Sequence, residues 1–243
     1  MSGFENGFPG GEWLDFNNGS YSADGAMPSN RVSAWTIVDR RSGEPVVAGN
    51  HAYKGWIVAA ASESHRAYPV IHADIPTPLV NSFLVYLDTD YERMRQAWVH
   101  LGTWGNRDSG SNSGDWALHT MAVRNGKLEF AHTSPFHGEY IGSRPRPDFP
   151  LRRWVRFTVY ILYEGTTGLV QVWQDGVPML RAEVAQLAQS PGTRLRTAHW
   201  GMYASGSLDH GVQYNDEIRI CTLSTPLSDL VREPRCESLG SAN

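Results

Sequence analysis

Apolar residues in this chain come in short runs that alternate with polar ones at a period of two. The segment from Trp154 to Tyr163, WVRFTVYILY, is the clearest case. Val155, Phe157, Val159 and Ile161 fall on one side of an extended chain, and Trp154, Arg156, Thr158 and Tyr160 on the other. Similar strands are expected at 32–38, 51–60, 66–73, 82–88, 96–102, 116–123, 127–132, 169–174, 178–183, 198–204 and 212–221. Clusters of Gly, Pro, Asn, Asp and Ser separate them. RNGK at 124–127 and QDGV at 174–177 carry the Asn-Gly and Asp-Gly pairs of two-residue hairpins, whose central positions need positive φ. Helical periodicity is scarce. The best helix candidate runs from Ser224 to Val231, with Pro226 acceptable in a first turn. VAQLAQ at 184–189 is a second candidate turn.

Two connections are long. NRDSGSNSGD (106–115) is small and polar, which predicts an exposed loop. Residues 132–153 carry four prolines and read as a second loop, of the kind that borders a binding site. No repeat and no shift in composition marks a boundary. The pattern predicts one all-β domain over 4–230, with a C-terminal tail at 231–243. Many strands, hairpins and two long loops predict a two-sheet antiparallel jelly-roll sandwich.

Composition sharpens this picture. A β domain of 243 residues is normally one unit. With 41% hydrophobic and 19% charged residues, the chain is too apolar to be disordered. Gly (24) and Pro (14) favour many turns over long helices. The chain has nine Trp, 10 Tyr and 8 Phe, and nine tryptophans are more than a core of this size needs. The net charge of −4 argues against a dedicated nucleic-acid binder, but says less about a local basic cleft. No apolar run approaches the roughly 18–20 residues that span a bilayer, so no membrane helix is expected. MSGFENGFPGGEW has neither a positive n-region nor an apolar h-region and is no signal peptide as written. Either the protein is cytoplasmic, or the chain is a mature form with a start Met added; an extracellular or periplasmic mature chain is the expectation. Cys221 and Cys236 cannot form a disulfide framework or a zinc site alone. A bond between them and two unpaired thiols both remain open.

Period-two alternation groups side chains. Arg66, Tyr68, Val70 and His72 share a strand face, as do Gln96, Trp98 and His100, and His199, Gly201 and Tyr203. These faces are too polar for a core and too rich in aromatic, Arg and His residues for an ordinary solvated surface. On one concave sheet they would line a groove.

Four segments in order resemble the polysaccharide lyases with a concanavalin-A-like jelly roll, the broad group of alginate, glucuronan and heparin lyases. SHRAYPVIH (64–72) is similar to their Arg-containing inner strand, and QAWVHLGTW (96–104) to their Gln-Ile-His strand. RWVRFTVYI and GLVQVWQDG, within 153–176, resemble their strand pair ending in Asn/Asp-Gly. AHWGMYASG (198–206) resembles their Phe-Lys-x-Gly-x-Tyr strand. FENGF near the start and YNDEIRI near the end extend the likeness. The strand-pair and YNDEIRI patterns are shared with laminin-G-like and lectin domains. His199 stands in place of the usual Lys, and Trp98 in place of the Gln of Gln-Ile-His.

The resemblance implies β-elimination from a uronate glycan. Such a reaction neutralises the carboxylate, removes the C5 proton and protonates the departing oxygen. Arg66 with Gln96 would do the first, His100 or Tyr203 the second, and Tyr203 the third. Tyr68, His72, Trp98, Trp104, Trp116 and His199 are the candidate substrate-binding residues, with Trp173 as a further stacking platform or a seal at the sandwich edge. Arg144, Arg146, Arg152 and Arg153 offer a basic patch for an acidic chain. The alternatives are a surface ion pair of Arg66 with Glu63 or Asp74, a core role for Tyr203 and a structural role for His100. No H-x-H or H-E-x-x-H spacing suggests a catalytic metal. Glu5 and Asp216 are candidate ligands of a structural Ca²⁺ joining the first and last strands. No G-x-S-x-G elbow, P-loop or dinucleotide fingerprint appears. Asp216 and Glu217 alternate in facing, so they do not make the paired carboxylates of a retaining glycosidase. The reading is a polysaccharide lyase acting as a monomer on a polysaccharide, with no nucleic-acid or membrane partner. A non-catalytic carbohydrate-binding, lectin or laminin-G-like domain is the alternative.

Overall fold

The computed structural model describes residues 3–6, 13–17, 33–62, 64–105, 118–134, 137–141, 148–164, 167–184 and 195–236. The strands in them form two antiparallel sheets. The first runs in the order β1 (Trp13–Asn17), β4 (His65–Ile75), β13 (Leu195–His199), β6 (Trp98–Gly105), β7 (Leu118–Arg124), β8 (Lys127–Ser134) and β9 (His137–Ile141). Its eighth strand, the short β14 (Met202–Ala204), pairs with both β4 and β6. The second sheet runs β12 (Val177–Val184), β11 (Thr167–Gln174), β10 (Trp154–Glu164), β5 (Leu79–Asp88), β15 (Gly211–Thr222), β3 (His51–Ile57) and β2 (Ser33–Asp39). This is the predicted two-sheet jelly-roll sandwich.

The alternation read from the sequence sets which face is buried. Val155, Phe157, Val159 and Ile161 of β10 are fully buried between the sheets. Phe83 packs against Phe157, Trp104 and Trp200 at centroid distances of 5.8–6.4 Å. Burying each such side chain stabilises the fold by about 1.5–3 kcal/mol. One polar group is built into this layer. Asn81 Oδ1 accepts from the indole N–H of both Trp104 (3.0 Å) and Trp200 (3.2 Å), and its Nδ2 donates to the Arg219 carbonyl at 2.8 Å. The amide thereby satisfies two indoles that have no access to water.

Several expectations are corrected. Residues 224–231 form no helix. Their leucines have helical spacing, but an isolated turn of this length has too few hydrogen bonds to hold it. Leu223, Leu227 and Leu230 lie instead against Val80, Tyr160 and Trp173 on the outer face of the seven-stranded sheet. A disulfide joins Cys221 at the end of β15 to Cys236 and pins this irregular strap. The proposed tail at 231–243 is therefore attached as far as Cys236. The connection at 132–153 contains the end of β8 and the whole of β9, so it is not one loop. β1 was not foreseen, because WLDFN sits among Gly and Asn without an alternating run. The run 198–204 is broken into β13 and β14 at Gly201, whose φ is +110°. A Cβ there would stand 3.0 Å from the Ala67 carbonyl oxygen, so the break demands glycine. The loop 106–115 and residues 185–189 of the second helix candidate lie outside the described residues.

Candidate functional site

Register assembles the site. Tyr203 of β14 stands directly opposite Arg66 of β4 on one side and His100 of β6 on the other. Three residues from three distant stretches of chain thus form one row across the eight-stranded sheet. Their neighbours at i±1, such as Ala67, Val99, Leu101 and Met202, are in the core, so the row itself faces outward.

Tyr203 is the hub of an aromatic cluster. Its ring centroid lies 4.6 Å from His100, 5.0 Å from Trp98, 5.7 Å from Tyr68 and 5.9 Å from His199. The Arg66 guanidinium carbon is 5.6 Å from the same ring, within cation–π range. Tyr68 stacks on His199 at 4.1 Å, and Trp98 meets His100 at 4.6 Å with the two rings tilted by 42°. Tyr68 is 7% exposed and His199 8%, while Trp98, His100 and Tyr203 are half-buried. The first two support the cluster from within, and the last three present it.

The electrostatics favour a neutral imidazole. Burial holds the His100 pKa well below the ordinary histidine value, and the neighbouring His199 and Arg124 push the same way. His100 Nδ1 is 3.3 Å from Thr103 Oγ1, a contact that orients the ring. Tyr68 has its phenol pKa raised by burial, so it stays protonated.

Not every expected residue joins this cluster. Gln96 closes a short 3₁₀ turn (Arg93–Gln96) before β6 and is exposed, so the strand face contains Trp98 and His100 without it. Trp104 is fully buried and is not a stacking platform. A bulge between His100 and Gly102 shifts the alternation by one, turning Trp104 inward and Thr103 outward. Gly102 permits it, since a Cβ there would meet the Trp104 ring at 2.8 Å. Trp173 is sealed beneath the strap on the opposite sheet. Of His72 only the backbone is described, opposite Thr197 of β13. Trp116, Arg144 and Arg146 lie outside the described residues. Arg152 is ion-paired with Asp88 and Asp90, both at 2.8 Å, and Arg153 with Asp175 at 3.1 Å. Those pairs lie at the end of β5, the start of β10 and the β11–β12 turn of the other sheet, so neither arginine joins a patch with Arg66.

One group went unread in the sequence. Arg124 stands directly across from Trp98, and its Nε is 3.2 Å from the buried Glu129 carboxylate. The Asn-Gly turn at 125–126 fixes the β7–β8 register, and counting back from it would have placed Arg124 on the outer face.

Glu5 and Asp216 do converge. A methyl group placed on Gly3 would lie 3.7 Å from Asp216 Oδ1 and 3.9 Å from Glu5 Oε1, so one point touches both carboxylates. Glu5 accepts from the main-chain N–H groups of Asn50 and His51, and Asp216 from those of Ala48 and Glu217. Burial raises the Asp216 pKa to about 6. Two hard oxygen donors, one of them costly to ionise without a cation, fit Ca²⁺ chemistry. No group of three or more His, Cys, Asp or Glu that could hold a metal ion occurs among the described residues.

Known proteins offer comparison at the level of fold. No family model matches the chain, and no curated protein matches its sequence. Among solved structures, an endo-β-1,4-glucuronan lyase from the fungus Trichoderma reesei superposes with a TM-score of 0.57 at 17% identity, covering 91% of this chain and 97% of that one. An alginate lyase superposes at 0.53 and 12%, covering 86% and 96%. A third structure, described with endo-acting O-glycanases of the human gut microbiota that initiate mucin breakdown, superposes at 0.52 and 10%, covering 87% and 92%. At these identities the likeness establishes a lyase-like fold, and the differing activities show that the fold does not dictate the reaction.

Proposed function

We propose that this chain cleaves a uronate-containing glycan by β-elimination on the outer face of the eight-stranded sheet. The row Arg66–Tyr203–His100 carries the reading, because it puts a cation, a phenol and a neutral imidazole side by side. Two of the structurally similar proteins are lyases of uronate polymers, glucuronan and alginate, which supports the same substrate class.

The residues have separate tasks. Arg66 holds the sugar carboxylate in its planar fork, spreading the charge that builds up when the C5 proton leaves. His100, kept neutral by burial, takes that proton. The electron pair forms the C4–C5 double bond, and the C4–O4 bond breaks. Tyr203 donates its phenolic proton to the departing oxygen and regains one from His100 or water. Trp98 supplies a flat apolar surface for the adjoining ring. With Gln96 off the strand, carboxylate neutralisation falls to Arg66.

A Ca²⁺ ion held by Glu5 and Asp216 would have a structural task, tying the N-terminal segment to β15. The disulfide supports an oxidising compartment outside the cytoplasm. Among the described residues no helix is long and apolar enough to cross a membrane.

A second reading has its own observation. Trp98 occupies the position at which the resembling lyases carry an amide, and the Arg124 opposite it is paired with Glu129. A face of this kind also suits glycan binding without cleavage. Incubation with polyuronates separates the two: formation of the unsaturated, ultraviolet-absorbing product supports the lyase, and binding without it supports the binding domain.

A further inference from the structure

The opposite sheet carries a second cluster of charge that the groove chemistry does not use. Ser82 of β5, Arg156 and Thr158 of β10 and Glu217 of β15 point outward there. The strap closes over them with Glu233 and Arg235, enclosing a cleft of about 270 Å³. That is slightly under the volume at which drug-sized sites begin, and gives room for one sugar ring rather than a chain.

The partners inside the cleft are unevenly matched. Thr158 Oγ1 donates to Glu233 Oε1 at 2.5 Å, and Arg219 Nη2 donates to Glu217 Oε2 at 2.6 Å. Each carboxylate therefore has one oxygen engaged and one left as an acceptor. The Arg156 main chain donates to Asp175 at 2.9 Å. Its guanidinium makes no hydrogen bond or ion pair among the described residues, although it lines the cleft.

We propose that this cleft between the strap and the seven-stranded sheet is a second binding site, for a single uronate residue or a uronate chain end. The Arg156 fork matches a planar carboxylate. A bare anion would face Glu217 and Glu233 as well, and like charge disfavours it. A neutral sugar would leave Arg156 unanswered. A ligand with one carboxylate and several hydroxyls answers both, donating its hydroxyls to the two glutamates. The site lies on the sheet opposite Tyr203, so it stands whether or not the other face is catalytic.

Titration of sodium glucuronate into ¹⁵N-labelled protein, followed by amide shifts, tests this directly. Residues 156–158, 217 and 233–236 should shift together and saturate, with a Kd on the order of 1 mM as befits few contacts. Arg156→Gln should weaken that titration about tenfold or more while the spectrum stays folded. Tyr203→Phe should leave it unchanged, whatever it does to the other face. Glucose and sulfate should each shift these amides far less than glucuronate. Four results would overturn the proposal: no saturable shift in this group up to about 50 mM, wild-type affinity in Arg156→Gln, glucose binding as well as glucuronate, or sulfate binding as well as glucuronate.

Discussion

Tyr203 touches four of the five other residues in its cluster by ring contact and the fifth by a guanidinium–ring contact, so it is the residue whose removal is most informative. Tyr203→Phe keeps the ring and deletes the proton. On the proposed mechanism, in which the hydroxyl acts in the transition state, it should lower kcat by about 10²-fold or more with KM nearly unchanged. Steady-state kinetics on a polyuronate would check this, and an unaltered kcat would remove Tyr203 from the mechanism. His100 gives a pH signature. Its pKa is depressed in the folded state, so the imidazole stays neutral below the ordinary histidine range. The acidic limb of kcat/KM should lie below about 6.5, the unperturbed value. The sign for stability follows: the unfolded chain binds the proton first, so stability is full above about 6.5 and declines as the pH falls through it. At this scale the sequence was legible where alternation held. Arg66, Tyr68, Trp98, His100, His199 and Tyr203 all reached one face. Gln96 and Trp104 did not, since one fell in a turn and the other followed a bulge, and neither leaves a mark in a period-two pattern.

At the scale of elements, the bulge in β6 and the strap are the features that propensity does not disclose. Asn81 ties β5 to the two buried indoles from β6 and from the turn after β13. Asn81→Leu would strand both indole N–H groups and should cost about 2–5 kcal/mol, read by urea denaturation. The strap is held by apolar packing and by one covalent link spanning 15 residues. Cys221→Ser should cost about 3 kcal/mol on the loop-closure estimate, again read as a shift in denaturation midpoint with the m-value nearly unchanged. The sequence left that bond open, and only the three-dimensional approach of the ends decides it. It gave a helix for 224–231 because leucine spacing on a sheet-covering strap imitates a helical stripe. The strands themselves were mostly placed within a few residues, since each buries one face and so must alternate.

For the whole molecule, a carboxylate from the N-terminal segment and one from the last strand both accept from the main chain of the 48–51 stretch. Asp216, raised to about 6 by burial, favours its protonated form in the native state. Its contribution to stability is therefore greatest at low pH and is lost as the pH rises toward 6. On the proposal of a bound Ca²⁺, a cation between Glu5 and Asp216 would reverse that loss. Adding Ca²⁺ at pH 7 to 8 in metal-free protein should raise the Tm, by about 2.7 kcal/mol of stabilisation at a hundredfold excess over its Kd, and EDTA should reverse it. Unchanged Tm in both would leave the two carboxylates as anchors of the 47–50 loop alone. The architecture was readable from strand count and turn residues, whereas the proposed reaction rests on the likeness of four short segments to known lyases and on the row of side chains that the register assembles. One measurement tests the central claim most directly: ultraviolet absorbance of the C4–C5 double bond during incubation with glucuronan and alginate. The wild type should generate it and Tyr203→Phe should not, while both bind the glycan equally. Binding by the wild type without any unsaturated product from either polymer would contradict the assignment of this face to β-elimination.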